Sequence, residues 1–182
     1  MDSRLQEMLD HYEITKVLKE YCHACDRGDF VHMAKVYAED SWDDHGANKC
    51  AGPEYARRAM AGLQYLNMCC HFMGQTLIDV RDNEAGAETY FFANVRIDDG
   101  SGGELLNQIG GRYVDRFVQE HGHWRIKRRQ VVKEWSISWP ITEDWQAGVP
   151  WVEPQTSSED PAYTVLGLRH SGVPGPNGEE LP

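Results

Sequence analysis

Apolar residues recur at helical spacing from the start of the chain, first as Leu5, Met8, Leu9 and Tyr12. After a shift of phase they continue as Ile14, Val17, Leu18, Tyr21, Cys22 and Cys25, so the pattern predicts one long amphipathic helix. Ser3 with Gln6 has the spacing of a capping box at its start, and Gly28 is placed to close it as a left-handed cap. Asp29 is expected to cap a short second helix running through Tyr37, and "SWDDHG" then reads as a short strand. Gly52-Pro53-Glu54 opens a third helix, with proline where its missing N–H does no harm.

From residue 68 the pattern turns to alternation. Residues 68–81, 85–97, 104–119 and 122–138 read as strands, separated by the turn signals "RDNEAG", "DDGSGG" and "EHGH". Three helices with one strand among them, followed by a four-stranded antiparallel meander, predict an α+β domain. A long curved sheet folded over helices leaves a pocket between the two layers.

Composition sets boundaries on this picture. At 182 residues the chain is long enough for a sizeable core. Seven of its eight prolines fall in 139–182, with seven acidic residues and one basic residue, Arg169. We therefore divide the chain into a folded domain, 1–138, and an acidic, mostly irregular extension, 139–182. Trp139, Trp145 and Trp151 give the extension's first part too much apolar surface to stay in water, so it is expected to pack on its own domain or on a neighbouring subunit. The end, "SGVPGPNGEELP", reads as loose. The formal charge of −11 argues against nucleic acid and anionic membrane as partners, since both need a basic surface. No apolar run reaches bilayer length, and the polar, acidic start points to the cytoplasm.

The stretch "YCHACD", residues 21–26, contains a C-x-x-C pair. A zinc site would take Cys22 and Cys25 with Cys69 and Cys70, but neighbours on a strand point to opposite faces, so Cys69 and Cys70 do not both reach one metal easily. A thioredoxin-like motif opens a helix, whereas this one closes it. The thiols read as small core residues, and no metal is expected.

The order of elements, with "YCHACDRGDF", "CCHFMGQTLI" and "GGRYVDRFVQEHGHWRIKRR", resembles the SnoaL-like, scytalone-dehydratase-like branch of the nuclear transport factor 2-like superfamily. The likeness covers roughly residues 5–138. It implies a cone-shaped α+β barrel, with three N-terminal helices packed in a strongly curved, mostly antiparallel sheet around a pocket for a small, largely apolar molecule. It also implies a lyase without cofactor, assembled as a homo-oligomer, with a trimer favoured over a dimer.

By the same resemblance Asp26 and His71 fall on the family's catalytic aspartate and histidine. Tyr21 matches the tyrosine of its bile acid dehydratases. A carboxylate at a helix C-terminus favours a cationic partner such as an imidazolium. If Asp26 holds one imidazole nitrogen, the other is free to take a proton from substrate. His71 alternates with Met73, Gln75 and Leu77 on one expected pocket face. Tyr21 is either a donor to a leaving hydroxyl or a core tyrosine. Arg129, Val131, Lys133 and Trp135 share one face by alternation, and Arg129 with Lys133 would stabilise an oxyanion or leaving group. The family's functional arginine falls near Arg129 in one branch and near Lys133 in another. Asn94 lies where the bile acid enzymes carry an aspartate. Trp42, His45, Tyr90, Phe92 and Tyr113 are the expected lining of an aromatic-friendly cavity.

The activity these readings imply is proton abstraction followed by loss of a hydroxyl, on a small hydroxylated aromatic or alicyclic substrate. A C–C lyase releasing formaldehyde from a lignin-derived diaryl compound is a second enzymatic reading. A non-catalytic ligand-binding or assembly module is the third.

Overall fold

A computed structural model describes residues 2–144 and 146–172. The elements run α1 (Ser3–Arg27), α2 (Phe30–Lys35), β1 (Tyr37–His45), β2 (Asn48–Cys50), α3 (Gly52–Leu63), β3 (Met68–Arg81), β4 (Glu84–Asp98), β5 (Glu104–Glu120), β6 (His123–Ile141) and α4 (Pro161–Leu166). One six-stranded sheet, ordered β2-β1-β6-β5-β4-β3, wraps the helices. All its pairings are antiparallel except β1 with β6. This is the expected α+β cone, with the core between its concave face and α1–α3.

The local chemistry explains the boundaries. Asp2, not Ser3, caps α1, its side chain accepting from the Arg4 N–H. Gly28 ends the helix at φ 69°, in the left-handed region where glycine is the natural residue. The second helix stops at Lys35, and Tyr37 begins the first strand: Tyr37 and Ala38 are buried in sequence before β1 settles into its register with β6. Gly52 must be glycine, because a Cβ there would lie 2.3 Å from the Tyr37 ring. The apolar residues before the phase shift in α1 are not core. Leu5, Met8, Leu9 and Tyr12 are exposed, and burial starts at Asp10, whose carboxylate accepts from the indole N–H of Trp124 at 2.9 Å.

The last strand runs past residue 138 to Ile141, through Pro140. β1 pairs only with residues 126–130 of β6, so near Pro140 that side of β6 is a free edge where a missing N–H interrupts no ladder. Trp139 and Trp151 are 43% and 65% exposed, while Trp145 lies outside the described residues.

The extension instead docks through its later residues, 160–172, and by polar contacts. The buried Asp29 carboxylate accepts from the Tyr163 hydroxyl at 2.9 Å and from Ser171, and meets His32 Nδ1 at 2.7 Å. These bonds outweigh the cost of burial and hold the Asp29 carboxyl below its ordinary range. Arg27 pairs with Asp160 at 3.0 Å beside them. Of the stretch expected to be loose, residues 173–182 lie outside the described residues.

Candidate active site

The last turn of α1 and the start of β3 bring Asp26 and His71 together. The Asp26 carboxylate accepts twice from one residue: Oδ1 meets His71 Nδ1 at 2.6 Å, and Oδ2 takes the His71 backbone N–H at 2.8 Å. This second bond fixes the carboxylate relative to the strand, so the imidazole is held from both its ring and its main chain. Both side chains are about nine-tenths buried. With Nδ1 committed, Nε2 is the ring atom left for substrate; it has no hydrogen-bond partner among the described residues. Desolvation works against the imidazolium, but the bonds to Asp26 and Cys69 prevail and raise the His71 pKa to about 9.

Tyr21, one turn before Asp26, is fully buried and edge-on to the His71 ring, with centroids 6.3 Å apart. Its hydroxyl lies 3.3 Å from His45 Nε2. Burial pushes its pKa well above 10, so the hydroxyl keeps its proton. His45 belongs to a second carboxylate–imidazole pair: its Nδ1 bonds Asp43 Oδ1, and Asp43 Oδ2 accepts from the Tyr37 hydroxyl at 2.6 Å. The His45 ring also stacks on Tyr55, centroids 4.1 Å apart.

Arg129 lies beneath this group. Its guanidinium forks onto Asp115 at 2.9 and 2.7 Å, both side chains wholly buried. It is sandwiched between the Tyr21 and Tyr113 rings, 4.2 and 4.1 Å from their centroids. Its Nη1 is buried and has no hydrogen-bond partner among the described residues. A stranded donor of this kind costs about 1–3 kcal/mol, more when charged, and is what a substrate oxygen would satisfy.

Six of the residues expected from sequence are thus gathered: Tyr21, Asp26, His45, His71, Tyr113 and Arg129. The other six are not. Phe91 stacks on Tyr113 inside the cone, so its neighbours Tyr90 and Phe92 point outward, and Phe92 stacks on Phe72 there. Asn94 follows Phe92 to that face, where it accepts from Gln108. Trp42 is outward because Asp43 is inward. Trp135 and Lys133 do not share a face. The register slips by one residue between the Gly111–Lys133 and Gly110–Trp135 pairs, a bulge at Glu134 that turns the tryptophan outward over Gly110. Lys133 itself is exposed. A similar slip between Met73 and Thr76 sends Leu77 outward and brings Thr76 and Ile78 in, so the expected Gln75 and Leu77 face is lost.

Four members of the cluster were not anticipated: Tyr37, Asp43, Tyr55 and Asp115. Asp115 carried a usable signal, a carboxylate alternating with Tyr113 and Phe117 on an otherwise apolar strand face, where only a charged partner makes burial tolerable.

The larger depressions, of about 390 to 520 Å³, are on the convex face; Tyr90, Phe92 and Trp135 line one of them. Next to the dyad there is a cleft of about 50 Å³, bounded by Asp26, Leu63, Met68, Cys69 and Gln155. Substrate pockets measure about 300–1,000 Å³, so the chain must open here to admit one.

The sequence matches the SnoaL-like domain family over residues 6–130. No curated protein sequence matches it. Among solved structures, a candidate scytalone dehydratase from Novosphingobium aromaticivorans superposes with a TM-score of 0.65 at 17% identity, over 81% of this chain and 97% of its own. A hexachlorocyclohexane dehydrochlorinase of the LinA-type3 form from Novosphingobium barchaimii gives 0.65 at 15%, over 83% and 99%. The Kfla4162 protein of Kribbella flavida gives 0.66 at 14%, over 72% and 95%. At these identities the likeness is one of fold. No helix among the described residues is long and apolar enough to cross a membrane.

Proposed function

The chain belongs to the SnoaL-like domain family, and from that premise we propose a lyase that needs no cofactor, with His71 as its general base. The observation that carries this is the His71 ring, anchored to Asp26 through Nδ1 and the backbone N–H while Nε2 stays unbonded. In the reaction, Nε2 takes a proton from a carbon next to one bearing a hydroxyl. The C–H electrons form the new double bond and the C–O bond breaks. The departing oxygen takes a proton from Tyr21, whose raised pKa has kept it in place, and leaves as water. His71 then returns its proton, restoring the tyrosine through solvent or product. Asp26 stabilises the imidazolium that forms in between. Arg129 Nη1 is the donor for negative charge on the substrate oxygen.

Tyr37, Tyr55, Phe91 and Tyr113 around the cluster fit a small hydroxylated aromatic or alicyclic substrate. The chain is further expected to be a homo-oligomer, a trimer by family resemblance. The apolar residues exposed on the convex face, Phe72, Tyr90, Phe92, Trp135 and Trp139, fit that expectation, and light scattering on the purified chain checks it.

The direct test screens hydroxylated aromatic and alicyclic compounds for new conjugated absorbance with the wild-type chain, His71→Ala and Asp26→Asn. Elimination by wild type alone supports the reading. Equal turnover by all three, or none by wild type across the panel, overturns it.

A further inference from the structure

The thiol of Cys69 is the one neighbour of the dyad that the mechanism does not use. Cys69 and His71 share a strand face, and Sγ lies 3.9 Å from the same Nδ1 that bonds Asp26. From the helix side Cys25, adjacent to Asp26, turns its thiol onto Cys69. One donor atom from each of Cys25, Asp26, Cys69 and His71 lies within 4.8 Å of the other three. This is not the set the C-x-x-C spacing offered: Cys22 takes no part, and Cys70 faces away and is exposed.

We propose that Cys25, Asp26, Cys69 and His71 form a binding site for one thiophilic divalent cation, of the zinc or cadmium class, that takes the place of the proton between His71 and Asp26. Two sulfurs, one imidazole nitrogen and one carboxylate oxygen are a tetrahedral zinc donor set, with bonds of about 2.3 Å to sulfur and about 2.0–2.2 Å to nitrogen and oxygen. Those lengths put neighbouring donors about 3.3–3.8 Å apart. The thiols therefore draw in slightly, and the 2.6 Å contact between Asp26 and His71 opens by less than about 1 Å. The His71 backbone N–H already orients the carboxylate, which is the outer-shell support such ligands need. The cleft at Asp26 and Cys69 is the way in from the surface. Hydrogen bonding from Cys25 and the nearby His71 lower the Cys69 pKa to about 6, so one ligand is supplied as thiolate.

The chemistry at His71 is then exclusive. A cation on Nδ1 leaves the imidazole's single proton on Nε2, so the ring has no lone pair with which to act as base. Binding to the protonated dyad releases that ring's second proton, and Cys25 releases its own on joining the metal. The site is a means of silencing the base, not a cofactor site for the reaction. Occupancy itself does not rest on the lyase reading and is measured without substrate.

The test titrates the reduced full chain with Co²⁺ under anaerobic conditions, then displaces it with Zn²⁺ or Cd²⁺. About one equivalent should bind, with a thiolate-to-cobalt charge-transfer band, tetrahedral d–d bands, and proton release in weakly buffered solution. Cys70→Ser and Cys22→Ser should keep the band. Cys69→Ser and Cys25→Ser should lose most of it and weaken binding by at least about tenfold, the lower end of what even outer-shell losses cost. A folded wild-type chain that shows no thiolate band, or a band that survives in Cys69→Ser and Cys25→Ser, overturns the proposal. Since the wild-type spectrum alone can do so, the test stands even if a buried cysteine variant fails to fold.

Discussion

Two carboxylate–imidazole pairs lie on either side of Tyr21, and only one is built to act. In both, Nδ1 of the ring bonds an aspartate. The Asp43–His45 pair lies within one strand, two residues apart, and everything around it is taken: Asp43 also holds the Tyr37 hydroxyl, the His45 ring stacks on Tyr55, and Nε2 faces the Tyr21 hydroxyl. The Asp26–His71 pair joins a helix end to a strand, and its Nε2 has no partner among the described residues. A carboxylate fixes a tautomer in either place. What separates a base from a structural histidine is the nitrogen left over.

The sharpest way to break this contrast is to remove the first pair. His71→Ala and Asp26→Asn should each lower kcat by about 100-fold or more with melting and circular dichroism little changed, the range of a positioned general base. Near-normal turnover in either would make the two pairs equivalent.

A pH profile tests the same nitrogen without mutation. With the His71 pKa raised to about 9, the neutral ring is about one part in a hundred at pH 7 and half at pH 9. In metal-free buffer kcat/KM should therefore climb roughly fiftyfold over that span. A flat profile would mean His71 is not the base. The link to stability has the opposite sense. A proton held more tightly when folded stabilises the fold fully below the ordinary imidazole value of 6.5, and that contribution is lost as pH rises towards about 9.

Smaller effects are expected at the second pair. His45→Gln should change kcat by less than about tenfold and instead cost about 1–3 kcal/mol of stability, because it disturbs the partners of a fully buried carboxylate. A larger loss of kcat than of stability would give His45 a part in the chemistry. Truncation after Gly172 should change neither pair, and light scattering, melting and turnover should match the full chain. Any shift there would show that the residues beyond contribute to the site.

Some of this was legible in the residues and some was not, for definite reasons. Gly28, the proline-opened α3 and the four long strands announce themselves, because a left-handed cap, a missing N–H and strict alternation are local facts. The position of Asp26 and His71 was accessible through resemblance. Facing was where the reading failed. In "TYFFAN" aromatic residues occupy both faces of β4, so alternation alone does not tell Phe91 inside from Tyr90 and Phe92 outside. The two bulges, after Met73 and at Glu134, each reverse the parity of everything beyond them, and neither leaves a mark that periodicity detects. Arg129 in "KRR" looked like a solvated edge until Asp115, fourteen residues earlier, was seen to face it across the hairpin.

The docking at Asp29 has a consequence for how the chain is made. Its carboxylate is completed by Tyr163 and Ser171, 134 and 142 positions later. While the chain is still on the ribosome, the corner after α1 has only His32 to satisfy that buried charge. Domains generally assemble from their N-terminal end as they emerge, but this corner cannot be finished in that order. The helix that carries Asp26 is secured at its exit only once synthesis is nearly over, so premature termination would leave a chain with its sheet complete and its catalytic helix poorly tied.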